Sequence, residues 1–343
     1  MIEITLSHSQ LSTYRKCARA YQHHYLARRV PIRDSVSLAI GRVWDDASGV
    51  WWKDGIDAAR TWLVSNAGSI NPEDAAKLAA ILAHYRPARD QYAFVSNQMT
   101  VTVPIRNPET GRPMRGVVLK CKSDTMLKRH SDGTLWVREG KTTSKEIDGF
   151  GPYWQRLQVD SQASWYHLAF GAEGVIYDVI RKPQIKCCGK DVTAALRELC
   201  TRAIEAKGWA DEKCWNRKSP EKLQEMLKER GVEIRVPQDK VVDAYERRVA
   251  ADVAEKPSRY LQWRELPKTE RDLEEAARDL YQQARMIRES YRHGWWPRNS
   301  SSCESVYGTC EYMDVCCGRA SINDDGQFMA PRWARRRPLP LAA

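Results

Sequence analysis

Thr134-Leu135-Trp136-Val137-Arg138-Glu139-Gly140-Lys141-Thr142 is the stretch on which the fold turns. It has the β-branched and aromatic content of a strand, and Ser131-Asp132-Gly133 just before it is a hairpin signal. Side chains alternate along a strand, so Val137, Glu139 and Lys141 share one face, with Trp136 and Arg138 on the other. Working back, residues 117–128 read as the partner strand and carry Asp124, whose carboxylate can converge with Glu139 across the sheet. A further strand, 98–106, is joined to it through the turn sequence Asn107-Pro108-Glu109-Thr110-Gly111. Working forward, 153–170 reads as a helix and 174–180 as a short apolar strand. Strands, helix and strand in this order predict an α/β fold with a mixed central sheet flanked by helices.

Around this core the pattern is helical. Leu11, Tyr14, Cys17, Tyr21 and Tyr25 recur at three- and four-residue steps and predict a helix over 9–27. Further helices are expected at 37–52, 56–65 and 72–86. The expected organisation is an N-terminal helical part (1–90), a core (91–185), a helical insertion (186–235), a C-terminal helical part (236–320) and a basic, flexible tail (321–343). The amphipathic stretch 269–293 leads the fourth of these into a run of cysteines.

The chain has 343 residues, enough for one large domain or two ordinary ones, and a formal net charge of +11. That balance points to a polyanionic partner, nucleic acid above all. No run approaches the roughly 18 apolar residues of a membrane span, and the start Met1-Ile2-Glu3-Ile4-Thr5 lacks the basic and apolar regions of a signal peptide. With no secretion signal, ten cysteines suit a reducing cytoplasm, where clustered thiols more often serve metals than disulfides.

Two groups of residues carry chemistry. Asp124 and Glu139, with the backbone carbonyl of Gly140, are the parts of a hard oxygen site for Mg²⁺ or Mn²⁺. Lys141 beside it could orient a metal-bound water or neutralise charge developing on a phosphorus centre. An E-x-K pair alone is more often a surface pair on a strand. Gln162 and Tyr166 fall one turn apart on one helix face, which also suits ordinary packing. The second group is Cys303, Cys310 and Cys316, spaced C-x6-C-x5-C, with Cys17 at the other end of the chain. Four thiolates hold either zinc or an iron–sulfur cluster, and spacing alone leaves both open. Cys121, Cys187, Cys188, Cys200 and Cys214 sit in strand or helical contexts and read as incidental thiols.

As an ordered set these motifs resemble the RecB-like branch of the PD-(D/E)XK nuclease superfamily, in particular the iron–sulfur exonucleases related to AddB and to CRISPR-associated RecB-like nucleases, many of them phage-encoded. The matching residues are Ser9, Cys17, Gly41, Asp124, Glu139, Lys141, Gln162, Tyr166, Cys303, Cys310 and Cys316, over about residues 5–318. The resemblance implies a restriction-endonuclease-like core whose C-terminal segment is tied by a [4Fe–4S] cluster on Cys17, Cys303, Cys310 and Cys316. It implies that Asp124 and Glu139 bind the catalytic metal, that Lys141 is the catalytic lysine, and that Gln162 and Tyr166 shape the site. The implied activity is a DNA exonuclease on single strands or duplex ends, in a bacterial or phage-infected cytoplasm, with a helicase or recombinase as a possible partner. The sequence departs from the pattern where Asp45 stands in place of a histidine ligand, which keeps Asp45 as an oxygen ligand. Cys121 replaces a glycine and Ala18 a proline. The alternative is a non-catalytic DNA-binding or recombination accessory protein of the same fold. A cluster-bearing glycosylase is disfavoured, because the local four-cysteine loop with C-x2-C is missing.

Overall fold

The computed structural model describes residues 3–32, 36–149, 151–305 and 308–331. Its main strands are β1 (Ile4–Leu6), β2 (Tyr92–Asn97), β3 (Thr100–Arg106), β4 (Pro113–Lys122), β5 (Thr125–Arg129), β6 (Leu135–Thr143), β7 (Gly174–Arg181) and β8 (Leu261–Pro267). The larger sheet has the order β2-β5-β6-β7-β8. It is mixed: β6 and β7 run parallel, and the other neighbours are antiparallel. A smaller sheet of order β1-β4-β3 joins the N-terminus to the core.

The centre of the larger sheet is β7, buried along its whole length. Val175, Tyr177 and Val179 enter one core with Trp154, Trp165 and Ile287, while Ile176 and Ile180 enter another with Trp44, Trp52 and Tyr245. Burial on both faces explains why the strand reads as a nearly continuous apolar run. Gly174 opens it because space is lacking: a Cβ there would lie 2.8 Å from Trp136 Cζ3 and 3.0 Å from the Leu266 carbonyl oxygen.

The longer helices are α1 (His8–Lys16), α2 (Val36–Asp54), α3 (Ile56–Asn66), α4 (Pro72–His84), α5 (Pro152–Gln158), α6 (Ser161–Phe170), α7 (Gly189–Ala206), α8 (Pro220–Glu229), α9 (Gln238–Glu255) and α10 (Glu270–His293). Helices α2, α4 and α9 cover one face of the sheet, and α6 and α10 pack in the core of the other. Among the described residues no helix is long and apolar enough to cross a membrane.

Several expected elements are divided. The strand over 117–128 is two strands in different sheets, β4 and β5, broken at Ser123-Asp124. Its alternation fails there, since Thr125, Met126 and Leu127 are all buried in succession. The helix over 153–170 breaks at Asp160, whose carboxylate accepts from the Gln162 N–H at 3.0 Å and caps α6. The helix over 9–27 stops at Lys16, because Cys17 is extended (φ −164°, ψ 118°). A short helix, Ala18–Tyr21, and a π-helical turn, Gln22–Leu26, follow. Strands β1, β2 and β8 have no counterpart in the sequence reading.

The largest correction concerns the chain ends. Among the described residues no group of three or more His, Cys, Asp or Glu side chains could hold a metal ion. The expected restriction-endonuclease-like core closed by a [4Fe–4S] cluster therefore gives way to a mixed α/β fold with flanking helices. Among the described residues, protein contacts join the ends. Phe328–Met329 pairs antiparallel with Val30–Pro31, and the Tyr312 ring stacks on Phe328 with centroids 5.8 Å apart. Tyr312 donates its hydroxyl proton to the Arg29 carbonyl at 2.8 Å, and Ser302 and Asn299 both donate to the Lys16 carbonyl, at 2.6 and 2.9 Å. From Arg332 onward, the basic tail lies outside the described residues.

Candidate functional site

Strand register builds the site. Thr125 pairs with Arg138 across β5 and β6, so Asp124 comes level with Glu139 and Gly140. Asp124 Oδ2 accepts from the Gly140 backbone N–H at 2.9 Å. Alternation along β6 then sends successive side chains to opposite faces.

On one face stands a closed hydrogen-bond network. Glu139 Oε1 accepts from Lys141 Nζ at 2.7 Å and from Gln162 Nε2 at 2.9 Å, and Glu139 Oε2 accepts from the Tyr166 hydroxyl at 2.8 Å. Gln162 Oε1 also accepts from Lys141 at 3.1 Å. The capped start of α6 positions Gln162, and one helical turn separates it from Tyr166. The structure thus brings together Glu139, Lys141, Gln162 and Tyr166.

The other face holds Arg138, fully buried. Its Nε donates to Asp178 Oδ2 at 2.8 Å, Nη2 to Ser48 Oγ at 2.6 Å and Nη1 to Thr125 Oγ1 at 3.4 Å. The Tyr85 hydroxyl completes the set on Asp178. Asp45 Oδ1 is 3.8 Å from Arg138 Nη1. Asp45 and Asp124 line a separate hollow of about 340 Å³ with Asp46, Asn97 and Gln98.

Electrostatics follow from this division. Burial, and then the charges of Glu139 and Asp45, hold the Asp124 carboxyl well above the usual carboxylate range, with Arg138 and the Gly140 N–H opposing. Burial raises Asp45 as well, against the pull of Arg138. For Lys141 burial works against the charge, and the Glu139 carboxylate outweighs it, so the ammonium is held above its ordinary range. Burial lowers His8, favouring the neutral imidazole.

The expected Mg²⁺ or Mn²⁺ site on Asp45, Asp124, Glu139 and Gly140 is not formed by these residues. Asp45 lies on the Gly140 side, where a Cβ would sit 3.4 Å from its Oδ1, whereas Glu139 projects from the opposite face. Both Glu139 oxygens are already bonded to protein donors. The cysteines are corrected likewise, for a [4Fe–4S] cluster and for zinc. Cys17, Cys303, Cys310 and Cys316 are free thiols. Cys17 and Cys310 pack against Ala20, Tyr312 and Phe328, and Cys303 Sγ lies 3.8 Å from the Asn299 carbonyl oxygen. Burial pushes the Cys310 and Cys316 thiols up, reinforced by Glu311 and Cys303 beside Cys310 and by Cys17 and Cys310 beside Cys316.

Sequence reasoning missed the adjoining cleft of about 560 Å³. It is lined by His8, Tyr25, Lys120, Lys122, Trp165 and the Gln162–Tyr166 pair, among others. Lys120 and Lys122 are exposed at alternate positions of β4, with Cys121 buried between them. The His8 ring meets Trp165 edge-on at 5.3 Å. The readable signal was Lys120-Cys121-Lys122 itself, a cationic alternation leading straight into Ser123-Asp124. Cations and aromatic rings in one cleft can take a polyanion that carries flat groups.

No protein-family model matches the chain, and no curated protein matches it. With no metal-holding group among the described residues, the resemblance to the RecB- and AddB-related iron–sulfur exonucleases is not upheld, and a metal-dependent exonuclease bearing a cluster is set aside with it.

Proposed function

We propose that the chain is a non-catalytic DNA-binding protein, an accessory to recombination, that engages single strands or duplex ends in the cleft beside β6. The observation that carries this reading is the composition of the cleft. Lys120 and Lys122 are exposed in the cleft that the half-buried Tyr25 also lines, while the adjacent Glu139 is neutralised by Lys141. Phosphates would pair with the lysines and a base would lie against the Tyr25 ring. The net charge of +11 would speed encounter with DNA and make it salt-dependent.

The test is anisotropy of a labelled oligonucleotide over a salt series. Lys120→Ala and Lys122→Ala should each weaken binding and flatten the salt slope by roughly one. The DNA should be recovered intact.

One observation favours a second reading, a deoxyribonuclease at the same place. Lys141 stands 2.7 Å from Glu139, beside the raised Asp124 carboxyl, so a cation and an acid share one strand edge. Release of nucleotides from the same DNA would select this reading over the first.

A further inference from the structure

We propose that Trp295 and Arg19 form a second nucleic-acid contact, a stacking platform for a single strand, on the surface where the two ends of the chain join. The inference rests on the DNA-binding reading but uses none of the cleft residues.

Trp295 is 67% exposed, although its neighbour Trp296 is buried. Trp296 stacks on Tyr21 with centroids 5.3 Å apart and planes 17° from parallel, which anchors the dipeptide and turns Trp295 outward. The Arg19 guanidinium lies over the Trp295 ring, 5.7 Å from its centroid. It is held there, because Arg19 Nε donates to the Trp296 carbonyl at 2.9 Å and the Arg19 backbone N–H to the Pro297 carbonyl at 3.1 Å. A pre-positioned cation–aromatic pair loses little freedom when a base stacks against it.

Charge identifies the occupant. No acidic residue occurs between Glu3 and Asp34, nor between Glu289 and Glu304. These two acid-free stretches are the ones that meet here. Lys16, exposed, receives Ser302 and Asn299 on its carbonyl, and the exposed Arg298 donates to the Cys316 carbonyl at 2.9 Å. At the margin, Glu289 pairs with Arg292 and His293, and Glu311 lies near Lys16. A flat exposed ring set among Lys16, Arg19 and Arg298 suits a polyanion with accessible bases, which is a single strand and not a duplex.

The test uses the full chain, a fluorescein-labelled oligothymidine and a blunt duplex of equal length, read by anisotropy. Trp295→Ala should weaken the oligothymidine about ten-fold, and Trp295→Phe about two-fold or less, since stacking is kept. The duplex should be affected less. An oligonucleotide carrying 5-iododeoxyuridine should cross-link on irradiation to the peptide holding Trp295. Because Trp295 is exposed, these variants test contact and not folding. Unchanged oligothymidine binding by Trp295→Ala, while Lys122→Ala weakens it, would overturn this inference alone. A wild-type chain that binds neither DNA would overturn both readings. Loss of binding to anionic vesicles, with DNA binding intact, would reassign the platform to a lipid surface.

Discussion

Arg138 and Glu139 are neighbours on one strand, and their settings differ in a way that separates architecture from recognition. Arg138 points into a dry layer, where Asp178, Ser48 and Thr125 fix each part of its guanidinium. Glu139 points to the opposite face, where Lys141, Gln162 and Tyr166 hold it at the edge of an open cleft. Both are charged groups with charged partners. The first pair is enclosed between helices and sheet, so removing it should act on folding. The second borders solvent, so its neighbourhood should act on binding.

The largest expected effect tests the enclosed side. Arg138→Met leaves Asp178 buried without its cation, and loss of one partner of such a pair destabilises by about 3–5 kcal/mol. Urea unfolding would show this as a large drop in midpoint. A change under about 1 kcal/mol would mean that the two faces do not differ in the way described.

The terminal joint gives the next effect. Tyr312 is buried, stacks on Phe328 and bonds to the Arg29 carbonyl. Tyr312→Ala should destabilise by about 2–4 kcal/mol and expose the C-terminal segment to protease. A variant as resistant as wild type would show that the ring does not hold the ends.

A titration tests the separate hollow that Asp45 and Asp124 line. The Asp124 pKa is raised in the folded chain, so the folded state keeps a proton that the unfolded chain has already lost. Stability from this group is therefore present below the ordinary carboxylate range and is lost as pH rises toward the raised value. Asp124→Asn should stabilise the protein at neutral pH, with the gain shrinking in acid. Equal stability of the two proteins across pH 4–8 would contradict the raised value.

The smallest effect is expected at the cysteines. Cys17→Ser, Cys303→Ser, Cys310→Ser and Cys316→Ser should each shift stability by at most about 1 kcal/mol, because these residues contribute only as small apolar groups. A collapse of folding in any one of them, measured beside Tyr312→Ala, would return the joint to the thiols.

Much of the central layer was legible. The alternation in 136–141 and the apolar run at 174–180 record how each strand is buried, and the Asp124–Glu139 approach follows from the hairpin. What sequence could not give is the face on which each carboxylate ends. Asp45 comes from α2, some eighty residues before Asp124, and only tertiary packing puts it on the Arg138 side. Breaks at Cys17 and Asp160 were hidden for a related reason. Neither has a glycine or proline to mark it, and each is set by what the following turn bonds to. The cysteine spacing was regular, yet spacing records order along the chain and not the packing each thiol meets, such as that of Cys17 and Cys310 against Tyr312 and Phe328.

The central claim is that the cleft beside β6 holds DNA and leaves it whole. Its most direct measurement follows a 5′-labelled oligonucleotide with wild type, Lys120→Ala and Lys122→Ala, reading anisotropy first and then strand length on a denaturing gel after incubation with Mg²⁺ or Mn²⁺. The expected result is salt-sensitive binding, weakened by each substitution, with the strand at full length throughout. Binding indifferent to both lysines, or a strand shortened by wild type, would contradict it.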